Sequence, residues 1–168
     1  VLLILKDSIC INIIMQCITK TDNKLWLNWF GITRPIYLTL GFNDYVKFGD
    51  GEKTKERMRK NHKHFFNELH RQVYKKSKNK IPRYIVIEKG RKTGGFHSHS
   101  LIETPEHLST ARYEKILEQS WLKTKDGVSL DTDSNVYDRK GLDGYNTKQL
   151  FPNNTNAEVD FMNCHRTL

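Results

Sequence analysis

Arg83-Tyr84-Ile85-Val86-Ile87-Glu88, then Lys89-Gly90-Arg91-Lys92-Thr93-Gly94, then Gly95-Phe96-His97-Ser98-His99-Ser100-Leu101-Ile102-Glu103, is the stretch on which the fold turns. The first and last segments are rich in β-branched and aromatic residues, and a basic run punctuated by glycine separates them. This is the pattern of a β-hairpin. Alternate residues of a strand project to one face, so His97 and His99 stand side by side. The hairpin also brings the Glu88 carboxylate next to them. Two imidazoles and one carboxylate hold a cation while leaving positions free for substrate, as a catalytic metal site requires. The competing reading is a pair of ordinary hydrogen-bonded histidines.

Outward from the hairpin the elements alternate. Pro35 to Phe42 reads as a strand, and Asn43 to Glu52 carries turn signals. From Lys53 to about Lys76 the period becomes helical, with Met58, Phe65, Leu69 and Val73 on one stripe. Leu108 to Leu122 is a second amphipathic helix, capped by Ser109 or Thr110, with Tyr113, Ile116, Leu117 and Trp121 inward. Val128 to Thr132 and Asn135 to Asp138 suggest a further strand or irregular hairpin. Gly141 to Gly144 turns the chain into a short helical segment, Tyr145 to Leu150, and the tail from Phe151 looks loop-like. The order β-α-β-β-α-β-α predicts an α+β fold: a ferredoxin-like or split βαβ layout, its antiparallel sheet covered by two helices. The division expected is an N-terminal segment of unassigned status over 1–30, a domain over 31–150 and a tail over 151–168.

Two patterns compete with the site residues. His62-Lys63-His64 is also a His-x-His, but on a helix residues two apart splay to different faces and cannot chelate one ion. Tyr145 and Lys148, three apart on a predicted helix, share a face. There a tyrosine can attack a phosphate while a lysine steadies the developing charge. Tyr137 and Lys140 have the same spacing in a strand-to-turn region, where it does not align side chains. The run Gly90 to Gly95 is not a P-loop, because a strand rather than a helix follows it. It reads instead as a mobile basic loop whose Arg91 and Lys92 can hold DNA phosphates.

The chain of 168 residues carries a formal charge of +9 and a pI near 9.5. Residues 53–92 hold 15 Lys or Arg against 3 Glu, so that segment is +12 and the remainder −3. Such concentration points to a polyanionic partner, nucleic acid first and an anionic membrane second, the competing reading being a solvated lysine-rich helix face. Cys10, Cys17 and Cys164 form no metal or disulfide pattern, which favours a reducing compartment. Val1 to Ile18 is apolar but broken by Lys6, Asp7, Asn12 and Gln16, too polar for an expected membrane span.

These residues together resemble the HUH endonucleases, specifically the rolling-circle replication initiators of plasmids and phages. Tyr37-Leu38-Thr39-Leu40 looks like the family's first motif, a strand beside the site. His97-Ser98-His99 looks like its metal-binding second, and Tyr145-Asn146-Thr147-Lys148 like its nucleophile motif. The similarity covers roughly residues 35 to 150. Ser98 departs from the pattern, which has a bulky apolar residue there. The resemblance implies a site-specific nickase and ligase of single-stranded DNA at a replication origin. Its divalent ion, Mn or Mg, is held by His97, His99 and Glu88. Tyr145 is then the nucleophile that forms a 5′-phosphotyrosine link, Lys148 assists it, and Thr39, Arg91 and Lys92 lie along the DNA. It further implies work in the cytoplasm of a bacterial host cell, with a host helicase and polymerase and no membrane. The alternatives are a single-tyrosine HUH transposase and a non-catalytic nucleic-acid-binding module.

Overall fold

Alternation in Pro35-Ile36-Tyr37-Leu38-Thr39-Leu40-Gly41-Phe42 sets one apolar face. In the computed structural model, which describes residues 31–75, 80–90, 92–134 and 157–166, Ile36, Leu38, Leu40 and Phe42 are all buried on β1 (Pro35–Phe42). Asn43 then caps a four-residue helix, α1 (Asp44–Lys47), its side chain accepting the Val46 N–H. The long amphipathic helix α2 (Gly51–Tyr74) follows, burying Met58, Phe65 and Leu69. Next come the hairpin strands β2 (Arg83–Lys89) and β3 (Phe96–Glu103), the helix α3 (Thr110–Leu122), then β4 (Gly127–Asp133) and β5 (Ala157–Val159). Ser109 occupies the position before α3, but its hydroxyl makes no capping bond.

The five strands form one antiparallel sheet in the order β4-β1-β3-β2-β5. Within it β1, α2, β2, β3, α3 and β4 trace the split βαβ path the sequence predicts. The even-numbered residues of β1 and β3 and the odd-numbered residues of β2 face the helices. There Phe65, Tyr113, Leu117 and Trp121 close the core over Ile36, Leu38, Ile85, Ile87 and Ile102. The Trp121 indole donates to the Gly41 carbonyl at a β-bulge where β1 pairs with β4. A side chain at Gly41 would collide with the Ser129 hydroxyl.

The structure differs from the expectation at the tail. Residues 157–159 are not loop but an edge strand on β2, and the turn after it anchors to the sheet through Asp160 N–H to the Ile85 carbonyl. Three residues of strand are too few for alternation to reveal. The predicted strand at Asn135 to Asp138 and helix at Tyr145 to Leu150 lie outside the described residues. Among the described residues no helix is long and apolar enough to cross a membrane.

Candidate metal centre

The hairpin register decides the site. Glu88 sits opposite His97, and Val86 opposite His99, so Glu88, His97 and His99 share the sheet face turned away from α2 and α3. The turn between the strands is held by Gly94 N–H to the Gly90 carbonyl and Gly90 N–H to the Gly95 carbonyl. Gly94 has a φ of 64°, the left-handed region open to glycine. One ligating atom from each of the three side chains lies within 4.8 Å of the others. Glu88 Oε2 is 3.6 Å from His97 Nε2 and 3.5 Å from His99 Nε2. The side chains of His99 and Glu88 are 7% and 10% exposed and that of His97 is 29%, so the group opens to solvent on the His97 side.

A metal ion fits this donor set. His99 Nε2 is buried with no hydrogen-bond partner among the described residues, a costly state for a polar nitrogen and one that a bound cation would relieve. Its other nitrogen is engaged: Nδ1 lies 2.6 Å from the Tyr37 hydroxyl and 3.4 Å from the Thr39 hydroxyl. For Nε2 to offer a lone pair, Nδ1 must carry the proton and donate it to Tyr37 oxygen. The Tyr37 hydroxyl can accept that proton, and its ring stacks on His99 at 5.3 Å with an interplanar angle of 18°, which holds the orientation of the imidazole. Burial, and after it the neighbouring His99, push the His97 imidazole below its ordinary 6.5, with Glu88 opposing. The neutral ring is the ligating form. The group Glu88, His97, His99 can therefore hold a metal ion.

Ser98, the departure from the motif, has a structural explanation. Lying between the two histidines on the strand, it points to the opposite face and is fully buried. Its hydroxyl is 2.8 Å from His62 Nε2, and His62 Nδ1 is 2.8 Å from Asp160 Oδ2, which also accepts from the Asn163 amide at 2.7 Å. With Nδ1–H donating to the carboxylate and Nε2 accepting the serine proton, both nitrogens of the buried His62 ring are satisfied. A bulky apolar residue at 98 would occupy the place of this bond. His62 is thus committed to the core while His64 is exposed, and the second His-x-His holds no common ligand, as its helical spacing predicts.

Of the other expected site residues, Thr39 faces His99 and Lys92 is exposed on the hairpin turn. Arg91, Tyr145 and Lys148 lie outside the described residues. Sequence reasoning missed two exposed aromatics around α1: Tyr45, 75% exposed under the Arg57 guanidinium, and Phe48, 58% exposed with the Lys47 ammonium over it. Both Lys47 and Phe48 lie against Gly95, two residues before His97. The signal was there in the alternation of aromatic and basic residues through Tyr45-Val46-Lys47-Phe48. Comparison of the chain with protein-family models, with curated proteins and with solved structures returns no match.

Proposed function

We propose that this protein is a metal-dependent endonuclease of the HUH type that nicks and rejoins single-stranded DNA at an origin of rolling-circle replication. The observation that carries the reading is the convergence of Glu88, His97 and His99 on one sheet face, reached by solvent at His97, with the Tyr37 hydroxyl on His99 Nδ1 and its ring stacked on the imidazole. A mixed imidazole and carboxylate set suits Mn or Mg, and such an ion, when bound, supplies a Lewis acid that polarises the scissile phosphate. The chain's own groups do the rest. The Tyr145 hydroxyl gives up its proton and bonds to phosphorus, the bond from phosphorus to the 3′ oxygen breaks, and that oxygen leaves as a hydroxyl. Attack by the same hydroxyl on the phosphotyrosine reverses the step and joins the strand. Lys148 steadies the charge on phosphate and phenolate.

A single-stranded substrate is supported by the exposed rings of Tyr45 and Phe48, each with a cation at its face, Phe48 lying against Gly95 just before the histidine strand. Rings of this kind stack bases without regard to sequence. Lys92 and Arg91 on the hairpin turn then meet the backbone, with Thr39 deeper in the site. The test is incubation of origin-strand oligonucleotides with Mn, Mg or EDTA. Metal-dependent cleavage leaving DNA covalently on the protein supports the proposal, and His97→Ala, with its fold intact, abolishes cleavage. Binding without cleavage under all metals refutes it and leaves a nucleic-acid-binding module.

A further inference from the structure

On the helix side of the sheet, away from the histidines, α2, the start of β2 and the turn after β5 enclose a cleft of about 460 Å³. Its lining is basic: Arg59, Lys60 and Lys63 from α2, Lys80 and Arg83 from the approach to β2, with Glu56 as the acid among them. The ion pairs present do not neutralise it. Glu56 is taken by Lys60 at 2.8 Å, and Arg59 is taken by Glu158 of β5. Lys63, Lys80 and Arg83 have no ion pair among the described residues.

Arg83 is the telling one. Its guanidinium is partly buried and held by neutral groups, Nε donating to the Asn163 carbonyl at 2.7 Å and Nη1 to the Ile81 carbonyl at 2.9 Å. It stacks at 4.2 Å over Phe66, whose ring also lines the cleft. Burial pushes it down to about 10, still charged at neutral pH, with Asp160 acting on it only through space. A fixed, desolvated guanidinium facing a cleft without a carboxylate of its own is a built anion site. The polar side of α2 extends it: Lys60, Lys63, Asn67 and His70 recur at helical spacing along one face. Ten residues of helix span about 15 Å. Each strand of a B-form duplex places one phosphate about every 3.4 Å of axis, so a row of that length runs along roughly four phosphates where a lone anion needs one.

We propose that this cleft is a second nucleic-acid site, gripping the phosphate backbone on the sheet face opposite the Glu88, His97, His99 group. It extends the nucleic-acid part of the function proposed above and does not depend on the cleavage chemistry. Because the sheet separates the two sites, the cleft holds a segment of DNA other than the one being cut.

The experiment measures binding of a labelled 30-residue oligonucleotide by fluorescence anisotropy over a salt series, in EDTA so that no cleavage intervenes. Both target residues, Lys63 and Lys80, are exposed, and thermal melts verify that the variants fold. Lys63→Gln with Lys80→Gln is expected to weaken binding about tenfold at 0.1 M salt and to lower the salt slope by about 1.5 to 2. Arg112→Gln with Lys115→Gln removes the same charge from the exposed face of α3 and is expected to leave both nearly unchanged. Equal losses in the two double variants, or no loss in the first, overturn the proposal. So does a mononucleotide or inorganic phosphate that binds the cleft as tightly as the oligonucleotide. Cleavage is scored separately with Mn, so an enzyme that nicks yet ignores the first double variant overturns the cleft alone. A protein whose binding behaves as expected but which never nicks overturns the nickase alone.

Discussion

Replacing Ser98 by Ala, His62 by Ala, and both together probes the buried chain that backs the histidine strand. Ser98, His62 and Asp160 are all 0% exposed. Ser98→Ala deletes one neutral hydrogen bond and leaves His62 Nε2 buried without a partner, a cost of about 1–3 kcal/mol. His62→Ala does more. It strands the Asp160 carboxylate in the core with only Asn163 bonded to the oxygen His62 had used, and it removes a ring lying 5.8 Å from Phe42 and 6.3 Å from Trp121. Breaking one side of a buried pair costs about 3–5 kcal/mol, against a total stability of about 5–15 kcal/mol for a domain. In the double variant the serine has no imidazole left to satisfy, so its replacement there is nearly free and the cycle shows a coupling of about 1 kcal/mol or more. Urea denaturation measures all four proteins, with unchanged m values expected. Strictly additive costs, or a Ser98→Ala variant within 0.3 kcal/mol of the parent, would refute the network as drawn.

Tyr37→Phe keeps the ring that stacks on His99 but removes the oxygen 2.6 Å from Nδ1, so Mn affinity, read by electron paramagnetic resonance, is expected to fall about tenfold with no change in melting temperature. Digestion and mass spectrometry of a suicide-oligonucleotide reaction should find the adduct on the peptide containing Tyr145, not Tyr137; Tyr145→Phe should abolish it and Lys148→Ala should only slow it. For Asp160, burial pushes the carboxyl up, but the hydrogen bonds from His62 and Asn163, with the charge of Arg59, outweigh it and hold the group below its ordinary 3.8. Its contribution to stability is therefore full above that pH and lost as pH falls through the lower folded-state value. The gap in stability between the parent and Asp160→Asn should narrow on acidification toward pH 2, and a pH-independent gap would contradict the assignment.

The metal group was legible in the sequence because every step to it is local. A period of two puts His97 and His99 on one face, and a short turn leaves Glu88 little freedom except to sit opposite His97. The helices were legible for the same reason, from Met58, Phe65 and Leu69 on one stripe and Tyr113, Leu117 and Trp121 on another. What escaped was long-range. Tyr37 was placed on a strand near the site, but its bond to His99 spans 62 residues and depends on the β1–β3 register. Ser98 stands out in the sequence, yet its partner is 36 residues away on a helix and that partner's acid 98 residues farther. Arg83 looked like one more basic residue of a charged run, and its isolation from carboxylates is visible only in three dimensions. No pattern in Ala157-Glu158-Val159 announces an edge strand, because its place is set by the unpaired edge of β2 rather than by its own periodicity.

The edge strand also fixes when the domain can finish folding. Asp160 reaches back across 98 residues to His62, and Val159 pairs with Val86, so the core behind the histidine strand stays incomplete until the chain has been made past residue 160. Before then a nascent chain can form the hairpin and α2, but it presents β2 as an open edge and His62 as a buried ring without its acid. Contacts of such sequence separation carry a large loop-closure cost and are made late. An open β edge in the interval is a template for pairing with another chain. The pairing of Ala157–Val159 with β2 therefore sets the order of events: synthesis must pass residue 160 before the histidine strand has its permanent support.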